Sequence, residues 1–173
     1  MEYKLGMVFG VAVSLTVGAL IVAVLFKKRV LDMTFDERQE RARGQAFKLG
    51  FFTMMFCTAA YGISDAVLGR WIDVITGCML CVCISVTVFA VECIRKDAYL
   101  SLKERPWQVM TLFAILAAVN LGIGALNLHS GEVVENGVLT FRAINPMVGV
   151  MMLLVLAIYA VKHLQDGSEM EEG

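Results

Sequence analysis

Thr34-Phe35-Asp36-Glu37-Arg38-Gln39-Glu40-Arg41-Ala42-Arg43-Gly44-Gln45-Ala46-Phe47-Lys48 is a charge-laced stretch of non-membrane character, and it separates two long apolar runs. The run before it covers residues 5–26, and the run after it reaches from about 46 to 68. At about 1.5 Å per residue, a helix of either length crosses a hydrocarbon core of roughly 30 Å. A charged connector between two such runs means that the chain leaves the bilayer and returns to it. The same reading, applied outward, organises the whole sequence.

The composition agrees with that start. Of 173 residues, 58% are hydrophobic and 18% charged, and the mean hydropathy is +0.72. A soluble domain lies nearer half apolar and a quarter charged. The apolar excess comes in blocks at about 5–26, 46–68, 74–94, 106–126 and 146–161. These predict an all-α integral membrane protein, a bundle of five transmembrane helices forming one membrane domain over residues 1–173. The net charge is -1 and the basic residues sit at the ends of the runs. Without an independent basic patch, no direct nucleic-acid binding is expected. The five cysteines (Cys57, Cys78, Cys81, Cys83 and Cys93) lie inside apolar runs, which does not suit a secreted disulfide framework.

Lys4 precedes the first run, while Lys27-Lys28-Arg29 follows it. A cleavable signal peptide has the opposite charge order and a shorter apolar region, so this run reads as a retained span. Gly6, Gly10, Ser14 and Gly18 recur every fourth residue within it. They share one helix face where another backbone can come close, either a helix of the same chain or a homo-oligomer seam.

Thr34 and Glu37 have capping-box spacing, which predicts a juxtamembrane helix over 34–48. Glu37 with Arg41 and Glu40 with Arg43 have ion-pair spacing on a helix, and Gly44 is the point where it would bend. Two readings stand for this segment. One is a solvated helix that anchors the membrane edge; the other is a docking surface made by Asp36, Glu37, Arg38, Gln39, Arg41 and Arg43.

Trp71 and Trp107 suit interfacial positions, and Pro106 suits the first turn of the fourth span. The longest polar loop, 127–145, holds Asn136-Gly137 between β-favouring residues. That predicts a short β-hairpin with a type I′ turn, with Val134, Leu139 and Phe141 on one face resting on the bundle or the lipid surface. Asn145-Pro146 reads as N-cap and first turn of the last span, and residues 162–173 as a polar, frayed tail.

Residues 27–48, 95–105 and the tail carry twelve of the fifteen Lys and Arg residues; Lys4, Arg70 and Arg142 fall on the other side. The positive-inside rule therefore places the N-terminus outside, the C-terminus in the cytoplasm and the 127–145 loop outside, in the plasma membrane.

Chemistry-bearing side chains are few within the apolar runs. Asp65 and Glu92 lie near span ends, where pairing with Arg70 and with Arg95 and Lys96 is expected. No ionisable side chain falls near a bilayer midplane, which disfavours ion-coupled transport. Asn120 is the most deeply placed strong hydrogen-bonding side chain and reads as helix-packing glue beside Gly122 and Gly124. Cys78, Cys81 and Cys83 lack the further ligands that a zinc site needs. No catalytic, cofactor-binding or metal-binding residue is nominated, and no cofactor is expected.

The segment Phe35-Asp36-Glu37-Arg38-Gln39-Glu40, followed by Arg43-Gly44-Gln45-Ala46-Phe47-Lys48 and Phe51-Phe52-Thr53, resembles a group of uncharacterised small multi-pass membrane proteins of Gram-positive bacteria. Those carry an Asp-Glu-Arg-Gln motif, then Arg-Gly-Lys-Ala/Ile, just before a membrane helix. The likeness covers about twenty residues, and Gln45 stands where that group commonly has Lys. The resemblance implies a bacterial membrane protein and, since members are often encoded beside small helix-turn-helix regulators, a membrane partner for such a regulator. The expected function is a non-enzymatic interaction or regulatory component that docks a cytoplasmic or membrane protein through 34–48. A small permease or transporter component, with Asn120, Asp65, Ser64 and Thr58 lining a path, is the alternative.

Overall fold

The computed structural model describes residues 34–171 and, before them, only Thr16, Ala19, Leu20, Ala23, Val24 and Lys27 as helical positions. The rest of the first span, including Gly6, Gly10, Ser14 and Gly18, lies outside the described residues. Four helices follow: α1 over Glu37–Leu68, α2 over Val74–Arg95, α3 over Pro106–His129 and α4 over Ile144–Glu171. Each is long and apolar enough to cross a membrane. Four candidate spans and a small hairpin therefore stand among the described residues.

The helix ends differ from the sequence expectation in ways that have local causes. The α1 cap is Asp36, two residues after Thr34: the Gln39 backbone N–H donates to Asp36 Oδ1 at 2.7 Å and the Asp36 N–H donates to Gln39 Oε1 at 3.3 Å. A carboxylate and an amide complete the reciprocal cap that Thr34 and Glu37 were expected to make. α1 then continues through Gly44 without interruption. At 32 residues it is roughly 48 Å long, well beyond the hydrocarbon thickness, and most of its charged residues gather in its first turns. Asn145 is not a cap, because a 3-10 turn, Phe141–Ala143, leads straight into α4 at Ile144. Thr140 caps that turn, its hydroxyl accepting from the Arg142 N–H at 3.4 Å. α4 also runs past Val161 to Glu171, supported by Lys162 donating to Asp166 at 2.8 Å one turn on.

α1 packs on α2, α2 on α4, and α4 on α3. The α3–α4 contact is close because Gly124 faces Pro146 and Gly149 faces Leu121. A β-carbon on Gly124 would stand 2.9 Å from Pro146 Cβ, and one on Gly149 2.7 Å from Leu121 Cγ. At the end of the molecule holding the α2–α3 loop, Ala90, Ile94 and Val155 form a buried cluster against Tyr99, Phe113, Ile158 and Tyr159.

The opposite end is tied together by the hairpin. β1 (Val134–Glu135) pairs antiparallel with β2 (Val138–Leu139), and positive φ at Asn136 (51°) and Gly137 (78°) matches the expected type I′ turn. A third segment joins them. The Leu139 N–H donates to Trp71 O at 3.0 Å and the Leu139 carbonyl accepts from the Asp73 N–H at 2.8 Å, which bridges Ile72 to Leu139. Ile72 is fully buried there. The expected common face is split, because Phe141 has left the strand for the 3-10 turn and both it and Val134 are exposed.

Candidate functional site

The motif segment is not free-standing: it is folded across the α2–α3 loop. α2 ends at Arg95, and Asp97 takes a left-handed φ of 54°. The helix's own terminal carbonyls are met by loop N–H groups, Ala98 to Cys93 O at 2.8 Å and Asp97 to Ile94 O at 3.2 Å, while the motif supplies donors to the cap and loop carbonyls that follow. Gln39 Nε2 donates to Asp97 O at 2.9 Å and to Leu100 O at 3.3 Å. Arg43 donates to Ala98 O at 3.1 Å and Tyr99 O at 3.5 Å, and Arg38 donates to Lys96 O at 3.4 Å. All three side chains supply hydrogen bonds, and Arg38 and Arg43 also place cations near the C-terminus of α2, where positive charge is favourable. The Leu102 N–H completes the seam by donating to Thr34 O at 3.1 Å.

Aromatic rings hold the same seam in register. The Arg43 guanidinium lies 4.0 Å from the Phe35 ring centre and 5.5 Å from that of Phe89, within cation–π range. Tyr99 meets Phe113 edge to face at 6.3 Å. Burial, with the neighbouring Cys93 and Glu104 adding to it, pushes the Tyr99 phenol well above its ordinary value of 10.0.

The six motif residues thus divide. Asp36 is the cap, Gln39 is buried and Arg43 is turned inward. Arg43 is therefore unavailable for the expected pair with Glu40, and among the described residues that pair is absent. Glu37 and Arg41 do pair, at 2.6 Å, on an exposed face. Between this ridge and the end of α2 lies an open groove of about 380 Å³, walled by Glu37, Arg38, Arg41, Ala42, Gln45 and Lys96. Lys96 donates to Gln45 Oε1 at 2.6 Å and pairs with Glu92 at 2.8 Å. Glu92 also meets Arg95 at 3.2 Å, as its spacing suggested.

The other candidates are not gathered into one place. Asp65, Ser64 and Thr58 lie on α1 and Asn120 on α3, the two ends of the packing order α1–α2–α4–α3. Asn120 donates to Leu116 O at 2.8 Å within its own helix, so that bond does not join helices. Ser64 donates to Tyr61 O and accepts from Trp71 Nε1 at 3.0 Å. Arg70 pairs with Asp73 at 2.5 Å, and no pair with Asp65 is present among the described residues. All five cysteines are free, and among the described residues no three His, Cys, Asp or Glu side chains are placed to hold a metal ion. His129 closes α3 at the hairpin end, whereas His163 lies on α4 in the wall of a small pocket with Asp97, Tyr99, Lys162 and Asp166.

Sequence reasoning missed the receptor of the motif, the carbonyls of 96–100, because nothing in a polar loop announces where its backbone acceptors will point. The chain matches no family model, and no curated protein or solved structure matches it.

Proposed function

We propose that this protein is a non-enzymatic interaction component of a bacterial plasma membrane, with its arginine-rich end in the cytoplasm. It presents a charged ridge of α1 to a protein partner. The observation that supports this reading is the division of labour within the motif. Asp36, Gln39 and Arg43 fix the first turns of α1 rigidly against the α2–α3 loop, while Glu37 and Arg41 remain outside and, among the described residues, pair only with each other. A charge pair on a rigid, membrane-anchored helix suits recognition, since complementary charge selects partners more than it strengthens the fold. A permease component would need a polar path, and its candidate residues are separated between α1 and α3.

The test is affinity purification of the full-length protein from bacterial membranes, comparing wild type with a Glu37→Lys, Arg41→Glu exchange. A partner that is recovered with wild type, lost with the exchange and unaffected by Asn120→Leu is the expected result. Recovery unchanged by the exchange would remove the ridge from the argument. Substrate flux in liposomes that depends on Asn120 and Asp65 would favour the permease instead.

A further inference from the structure

Arg38 lines the groove at the arginine-rich end with little of its bonding capacity used. Its guanidinium makes one bond, to Lys96 O at 3.4 Å, and among the described residues no carboxylate pairs with it. A guanidinium carries five N–H donors, so most of its capacity faces the groove between α1 and the end of α2. Across that groove stands Lys96, with Arg41 at the rim. Glu37 is the one carboxylate in the wall, and Arg41 already holds it. Lys96 in turn is held by Glu92 and Gln45, so the wall carries three cations, of which Arg38 alone has no carboxylate partner among the described residues.

Its position on α1 matters as much as its charge. Positions 38, 42, 45, 49, 52 and 56 recur at intervals of three and four, which places them on one face of the helix. From Leu49 to Ser64 no charged side chain interrupts that helix. Leu49, Phe52 and Phe56 thus follow Ala42 and Gln45 of the groove wall along the same face; all three are exposed, and Phe56 retains 75% of its accessible surface. A cationic foot continuous with an apolar shaft is complementary to one class of molecule, an anionic amphiphile.

We propose that this face binds an anionic phospholipid from the leaflet at this end. Its phosphate lies among Arg38, Arg41 and Lys96, and its acyl chain lies along Leu49, Phe52 and Phe56. Basic side chains at a membrane surface favour anionic lipid through the phosphate charge, and guanidinium matches phosphate geometry through paired N–H donors. The other occupants of an apolar helix face fit less well. Residues 5–26 end in Lys27-Lys28-Arg29 and would bring three more cations to the same foot. A second copy, related by symmetry, would bring Arg38, Arg41 and Lys96 against their own kind. The lipid site goes beyond the docking reading: it shares Arg41 with the ridge, but it is read by lipid retention in the isolated protein and needs no protein partner.

Native mass spectrometry of the full-length protein in detergent tests this, with phosphatidylglycerol and phosphatidylcholine of identical chains as the probes. Wild type should retain phosphatidylglycerol in preference. Arg38→Gln with Arg41→Gln, which leaves the Lys96–Glu92 pair intact, should weaken that retention by roughly fivefold per charge removed and leave phosphatidylcholine unaffected. Arg38→Lys should keep most of the preference, showing that charge is read and that the fold persists. Equal retention of the two lipids, or an unchanged preference in the double variant, would overturn the proposal. So would displacement of phosphatidylglycerol by inorganic phosphate, which would assign the foot to a free anion. A lipid-free two-chain species would overturn it in favour of a second copy.

Discussion

The side-chain nitrogen of Gln39 lies 2.9 Å from the carbonyl oxygen of Asp97, joining the first turn of α1 to a loop 58 residues away. The same side chain caps its own helix through Oε1. One buried amide therefore serves both the start of a membrane helix and the connection between the next two. Gln39→Leu should lower thermal stability in detergent by about 2–3 kcal/mol, from a lost cap and unsatisfied buried carbonyls. A midpoint equal to wild type would show that the seam contributes nothing.

Arg43 and Arg41 are two residues apart and predict opposite outcomes. Arg43 bonds to two loop carbonyls and lies over Phe35, whereas Arg41 holds only an exposed carboxylate. Arg43→Ala should cost about 1–3 kcal/mol, and Arg41→Ala should leave the unfolding midpoint where it was. Equal effects on chemical unfolding in detergent would contradict the inward and outward assignment.

The α3–α4 contact should reject added volume. With Leu121 Cγ 2.7 Å from where a Gly149 β-carbon would stand, Gly149→Val must separate the helices at a cost of about 1–3 kcal/mol or more. Gly122 has nothing within 4 Å, and Gly122→Ala should be tolerated. Thermal shift of the two variants, compared side by side, decides this.

Tyr99 makes the alkaline limb of stability informative. Its phenol is raised by burial, so the folded state favours the neutral form. That contribution is complete below the ordinary pKa of 10.0 and is lost as pH rises beyond it towards the folded value. Tyr99→Phe should therefore flatten the loss of stability above about pH 10, as measured by denaturant midpoints across that range. An unchanged slope would remove Tyr99 as its source.

The proposed orientation can be read from intact cells. Asn136→Cys, at the tip of the hairpin, should react with a membrane-impermeant maleimide without lysis, and Lys103→Cys only after permeabilisation. The reverse pattern would invert the topology and move the arginine-rich end outside.

Much of this architecture follows from short-range patterns. The apolar blocks at 46–68, 74–94 and 106–126 become helices because their length and composition leave few other ways to satisfy a backbone in lipid. Asn136-Gly137 sets its turn because both residues accept positive φ, and Glu92 finds Arg95 and Lys96 because a helix brings i+3 and i+4 together. What the tertiary structure decided lies between segments distant in sequence. Asp36 displaces Thr34 as the cap where its partner Gln39 also meets the carbonyls of Asp97 and Leu100. Ile72 joins the hairpin because Leu139 has free backbone groups on its outer edge. The order α1–α2–α4–α3 depends on where Gly124 and Gly149 let backbones approach. Periodicity says which residues share a face; which loop or helix meets that face is set by backbone groups and close contacts that have no local signature in the chain.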